Sequence, residues 1–121
     1  MSDLIVRSKI DEVARRTGLE LRAAKSPEQL ERHLAAGTPA IAFVDLEADT
    51  FDPAAAIRRL RELGGGEEMR IIGYSGHTNV AAIQGGRAAG AGVVLARSAL
   101  TVQLPALLSR VADEERARAG S

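Results

Sequence analysis

Five short apolar runs alternate with five amphipathic stretches along the 121 residues, and this alternation restricts the fold more than any other feature. The runs are Leu4–Val6, Leu19–Ala24, Ala40–Val44, Met69–Tyr74 and Val93–Ala96. The third and fourth are apolar without a polar residue at every second place, as in strands covered on both faces. Strands alternating with helices over short connections give a parallel sheet flanked by helices. The pattern predicts one α/β domain over residues 1–121, with its core at about 3–112 and a charged tail at 113–121. A chain this long can bury an ordinary core without staples.

The amphipathic stretches carry their own punctuation. Ser8-Lys9-Ile10-Asp11 has the form of a capping box, with Ile10, Val13, Ala14 and Thr17 on one face and Gly18 as the stop. Ser26-Pro27-Glu28-Gln29 opens a second helix, with serine at the cap, proline first and glutamine completing the box. Leu30 and Leu34 form its inward stripe and Gly37 ends it. Asp52-Pro53 opens a third, with Ile57 and Leu60 inward and Gly64-Gly65-Gly66 as the stop. A fourth is predicted from about Asn79 to Ala89, and a fifth from about Thr101 to Ala117 with Leu104, Leu107, Leu108 and Val111 on its apolar face. Pro105 belongs near the first turn of that last helix, because an interior proline removes a hydrogen bond. Gly85-Gly86 would leave the fourth helix short or soft, unless the pair serves close packing or an early stop.

Composition narrows function mainly by exclusion. The absence of cysteine rules out disulfides, thiolate metal sites and cysteine nucleophiles. Sixteen basic residues balance sixteen acidic ones, and the only aromatics are Phe43, Phe51 and Tyr74, so neither a phosphate-binding face nor a base-stacking platform for nucleic acid is expected. No apolar stretch approaches membrane-spanning length, and no signal-peptide layout opens the chain, which makes a cytoplasmic location the expectation. No nucleophile–base pair can be assembled by spacing and no Gly-rich phosphate loop follows the first run, so no enzyme is expected.

Three of the runs, taken in order, resemble bacterial response-regulator receiver domains. Ala89-Gly90-Ala91-Gly92-Val93-Val94-Leu95-Ala96-Arg97-Ser98 is similar to that family's fifth-strand signature, where Ala-Gly-Ala precedes the strand and Lys-Pro follows it. Ile71-Ile72-Gly73-Tyr74-Ser75-Gly76 resembles its fourth strand, which ends in a signalling Ser or Thr. Ala40–Asp45 resembles its third strand, which ends in the phosphorylated aspartate. The match runs over residues 3 to about 112. It implies a flavodoxin-like (βα)5 three-layer sandwich, with a parallel five-stranded sheet of order 2-1-3-4-5.

The departures from the family concern its chemistry. Arg7 and Ser8 stand where an acidic pair would help hold magnesium, Arg97 replaces the lysine, Ser98 the proline, and Val93 and Val94 the aromatic switch position. Phosphoryl transfer to a carboxylate needs charge neutralised on the moving oxygens, and magnesium asks for octahedral oxygen ligands. Asp45 alone supplies one carboxylate, so magnesium binding is expected to be lost and no cofactor is expected. Asp45 is then either a loop-initiating residue or part of a permanent ion pair with Arg7, Arg97 or both, since a guanidinium can grip a carboxylate with two hydrogen bonds. Asp11 and Glu12 read as acids in a helix's first turn, and His77 and His33 as solvated side chains, since no companion ligands stand at metal spacing.

The leading expectation is a degenerate receiver that binds a protein partner in bacterial signalling independently of phosphorylation. The resemblance places that contact on the fourth helix, fifth strand and fifth helix, with homodimerisation through the same face as a further option. One alternative is a conventional receiver phosphorylated on Asp45. Another is a small-anion or nucleotide sensor in which Arg7, Arg97, Ser75 and the loop around Gly76 and His77 share a pocket.

Overall fold

The computed structural model describes residues 4–37, 39–63 and 70–119. They group into two compact units, Ala23–Ala96 and Met1–Arg22 with Arg97–Ser121. The first unit holds a parallel sheet of three strands, β1 (Ile41–Asp45), β2 (Arg70–Ser75) and β3 (Val93–Ala96), in the order β1-β2-β3. Register pairs Ile41 with Arg70 and Asp45 with Tyr74, then Ile72 with Val93 and Ser75 with Ala96. The helices α2 (Pro27–Ala35), α3 (Pro53–Leu63) and α4 (Val80–Ala89) alternate with these strands. The core of this unit is Val44, Leu46, Ile57, Leu60, Ile71, Ala89 and Ala91, with Leu30 and Leu34 half-buried against it, as their stripe predicts.

Local chemistry sets the ends of these helices. Ser26 Oγ accepts the Gln29 N–H at 3.2 Å, but Gln29 Oε1 returns to the N–H of Lys25 at 2.7 Å, one residue before the position a capping box would use. Asp52 Oδ1 accepts the N–H groups of Ala54 and Ala55, with Pro53 in the first helical place. Asn79 caps α4 by accepting the Ala82 N–H at 3.1 Å. Gly90 ends α4 at φ 119°, a conformation that favours glycine, and its carbonyl accepts Arg61 Nε at 2.7 Å. The expected stop at Gly64-Gly65-Gly66 lies outside the described residues.

Arg59 on α3 grips Glu31 on α2 through two parallel hydrogen bonds of 2.6 and 2.8 Å. Those bonds hold the Glu31 carboxyl below the usual carboxylate range, against the opposing effect of burial. A carboxyl whose pKa is depressed on folding stabilises the fold above its unfolded pKa, and the contribution fades as pH falls through the folded value. Arg59→Ala is therefore expected to destabilise near neutral pH. The gap from the parent should begin to narrow near the unperturbed glutamate pKa of ~4.3 and close once the pH falls below the depressed folded value, measured by urea unfolding across that range.

The second unit pairs α1 (Leu4–Thr17) with α5 (Arg97–Ala119). Its buried residues are Val6, Ile10, Val13 and Ala14 on α1 and Leu100, Leu104, Leu108, Val111 and Ala112 on α5. Gly18, at φ 79°, closes α1 as expected: its N–H donates to Arg15 O, and the Leu19 N–H donates to Ala14 O at 2.9 Å.

This unit corrects several expectations. Leu4–Val6 begins a helix and is not a strand, because Val6 extends the Ile10–Val13–Ala14 stripe back by one turn. Ser8 is consequently interior to α1 and not its cap. Asp11 and Glu12 are mid-helix acids that pair with Arg15 and Arg16 one turn on. Leu19–Ala24 has no regular structure and is largely exposed. In the expected order the second strand pairs with the first, and a helix at Leu4–Val6 leaves it no neighbour. The sheet thus has three strands among the described residues where five were expected, and they follow the order of the expected third, fourth and fifth. Pro105 sits well inside α5, which starts at Arg97 and not near Thr101.

Candidate functional site at the carboxyl edge of the sheet

Two parallel strands bring Asp45 and Ser75 to the same edge. Asp45 is the last residue of β1 and pairs in register with Tyr74, the residue before Ser75. Asp45 is half-buried, and its Oδ1 accepts the Glu47 N–H at 2.9 Å, a turn in which the side chain replaces a backbone acceptor. Ser75 is 0% exposed and its hydroxyl donates to the Gly76 carbonyl at 3.0 Å. Ala96 lies opposite Ser75, and Arg97 follows it as the first, half-buried residue of α5. His77 is exposed in the turn after β2.

Arg7 and Ser8 do not end a strand. Both are exposed residues of the helix α1, which corrects the expectation that they close the first strand.

Glu47 enters the site without any warning from the sequence. Its Oε1 accepts the Gly76 N–H at 2.8 Å and its Oε2 accepts Asn79 Nδ2 at 2.7 Å. One carboxylate therefore ties the turn after β1 to the loop after β2 and to the cap of α4. Bonds from neutral donors to an ionised acceptor are the stronger kind. Its partners lie 29 and 32 residues away in sequence, beyond any local pattern.

Leu46 anchors the same turn from the apolar side. Its N–H donates to the Tyr74 carbonyl at 2.9 Å, and its side chain lies against Gly73 and Gly86. A methyl group at either glycine would come within 2.9 Å of a Leu46 methyl. α4 runs unbroken through Gly85-Gly86, so Gly86 provides close packing and not a break. A small cavity of about 130 Å³ lies beside Leu46, lined also by Asp52, Pro53, Ala54, Ala82, Gly85 and Gly86. It is well below the roughly 300–1,000 Å³ of a metabolite pocket. Asp52, its one charged residue, has Oδ1 occupied in capping α3.

No protein-family model matches the sequence. No curated protein sequence matches it either. Comparison with solved structures gives a consistent result. The receiver domain of NtrX from Brucella abortus superposes with a TM-score of 0.73 at 17% identity, with 92% of each chain covered. A chain described as a response regulator from Chloroflexus aurantiacus gives 0.73 at 22% identity, covering 92% of this chain and 91% of that one. A response regulator from Burkholderia pseudomallei, solved with a phosphorylated aspartic acid, a calcium ion and citrate, gives 0.70 at 22%, covering 96% and 67%. The fold is the flavodoxin-like α/β fold of receiver domains.

Proposed function

We propose that this chain is a receiver-like module of bacterial signal transduction that binds a protein partner without phosphorylation of Asp45. The observation that carries the reading is the ligand set around that carboxylate. Asp45 Oδ1 already accepts the Glu47 N–H, and Glu47, two residues on, has both oxygens engaged by Gly76 and Asn79. Among the described residues no group of three or more His, Asp or Glu side chains stands close enough to hold a metal ion. Magnesium, which keeps octahedral geometry and relies on carboxylates beside its waters, fits this donor set poorly. Phosphoryl transfer to a carboxylate relies on such a cation to neutralise charge on the moving oxygens. Ser75, the residue in the signalling position, is sealed from solvent.

The partner-facing elements in this reading are α4, β3 and α5. In the first unit α4 and β3 carry the exposed Val80 and Val93, and in the second, taken by itself, α5 carries the exposed Val102. No helix among the described residues is long and apolar enough to cross a membrane. The anion-sensor alternative is weakened by Glu47, whose carboxylate occupies the Gly76 amide that such a ligand would use.

The test is incubation with a small-molecule phosphodonor and magnesium, followed by intact mass under neutral and acidic conditions. The expected result is an unchanged mass and an amide spectrum unaffected by beryllofluoride. An acid-labile mass gain abolished by Asp45→Asn would replace this reading with that of a conventional receiver.

A further inference from the structure

We infer that the turn Asp45–Ala48 is a mechanical link between the sheet edge and α4, with Glu47 as its positioning residue. Three observations converge. Asp45 is fixed by β1, and its carboxylate fixes the Glu47 backbone through the 2.9 Å bond from that N–H. Glu47 then holds the Gly76 amide and the side chain of Asn79, and Asn79 is the residue whose Oδ1 caps α4 at Ala82. Leu46, between them, presses its methyl groups against Gly86 on the next turns of α4. The turn therefore touches α4 at two places, its polar cap and its buried glycine.

A side-chain acceptor that sets a turn cannot be removed without changing the turn. Loss of the acceptor oxygen at Asp45 releases the Glu47 backbone, and the Glu47 carboxylate moves relative to Gly76 and Asn79. The α4 cap then loses the bond that orients its amide. The coupling runs through contiguous hydrogen bonds and does not depend on whether Asp45 is ever phosphorylated. It provides a route by which an event at the sheet edge reaches the helix assigned above to the partner.

The experiment is a double-mutant cycle on the full chain, read by amide shifts and hydrogen exchange at Gly76, Asn79 and Ala82. Asp45→Ala and Glu47→Ala are each expected to shift these amides and speed their exchange by about five-fold or more, the factor for one net hydrogen bond. The double variant should add little to either single change, because both break one chain of contacts. Asp45→Asn keeps an acceptor oxygen and should leave the three amides near their original positions. Glu47→Gln turns an N–H donor toward Asn79 Nδ2, so the Asn79 side-chain amide should move while the Gly76 amide stays bonded. The two conservative variants decide the matter even where the alanine variants fail to fold. Unmoved amides at Gly76 and Asn79 in Asp45→Ala would overturn the link. So would additive effects in the double variant, or an Asp45→Asn spectrum that resembles Asp45→Ala.

Discussion

Lys9→Pro lowers stability by about 3 kcal/mol or more, the expected cost of proline inside an α-helix. Lys9 is the sixth residue of α1, so its N–H belongs to the helical ladder and faces the Ile5 carbonyl. Proline removes that bond and drives its ring into the same carbonyl. The reading in which Ser8 caps the helix would make Lys9 the first helical residue, where proline is favoured. The chain itself uses proline that way at Pro27 and Pro53. One substitution therefore has opposite consequences in the two arrangements. Lys9 also approaches Glu12 at 4.0 Å, but an exposed pair of that kind is worth only about 0–1 kcal/mol, and Lys9→Ala measures that part separately. Urea midpoints of the parent, Lys9→Ala and Lys9→Pro complete the test. A neutral Lys9→Pro would move the helix start to Lys9 and return Leu4–Val6 to a strand.

The difference at Leu4–Val6 shows where a local signal stops being sufficient. Ile5 and Val6 are β-branched and suit a strand, yet Val6 is also four residues before Ile10 and extends a helical stripe. Both periods fit three residues, and packing on α5 decides between them. Leu19–Ala24 follows from that decision, since a strand needs a neighbour. The later elements were legible because their signals are self-contained: Ser26-Pro27, Asp52-Pro53 and Asn79 start helices through bonds within a few residues, and Gly18 and Gly90 end them. Pro105 misled because the rule against interior proline is a cost, which the long buried stripe of α5 outweighs. At the candidate site, Asp45 and Ser75 could be placed because strand ends are a matter of chain order. Glu47 could not, since nothing near residue 47 announces partners at 76 and 79. The sign of Gly86 was equally hidden, because the leucine that needs the space is 40 positions earlier, at Leu46.

That buried leucine gives the second large effect, a change of sign between adjacent glycines. Gly85→Ala stabilises by about 0.5–1 kcal/mol, since a methyl there meets no atom within 4 Å and alanine is the better helix former. Gly86→Ala destabilises by about 1–3 kcal/mol, the usual cost of overpacking a filled core. The new methyl would approach both Cδ atoms of Leu46 at 2.9 Å, so rotating one of them away leaves the other in place. The Leu46 side chain also packs directly on Gly73, filling the space where a Cβ of that residue would stand. Leu46→Ala costs about 2–5 kcal/mol by itself, through lost burial and the cavity it opens. In that background the clash at residue 86 no longer exists and the added methyl takes up part of the void. Gly86→Ala should then be neutral or stabilising, with a coupling of about 0.5–3 kcal/mol between the two positions. Four urea midpoints, for the parent, each single variant and the double, measure it. If Gly85 and Gly86 instead serve only to soften α4, both alanines would stabilise alike and the Leu46 cycle would be additive. That result would remove the steric seat for Leu46 and with it one of the two attachments by which the turn after β1 holds α4.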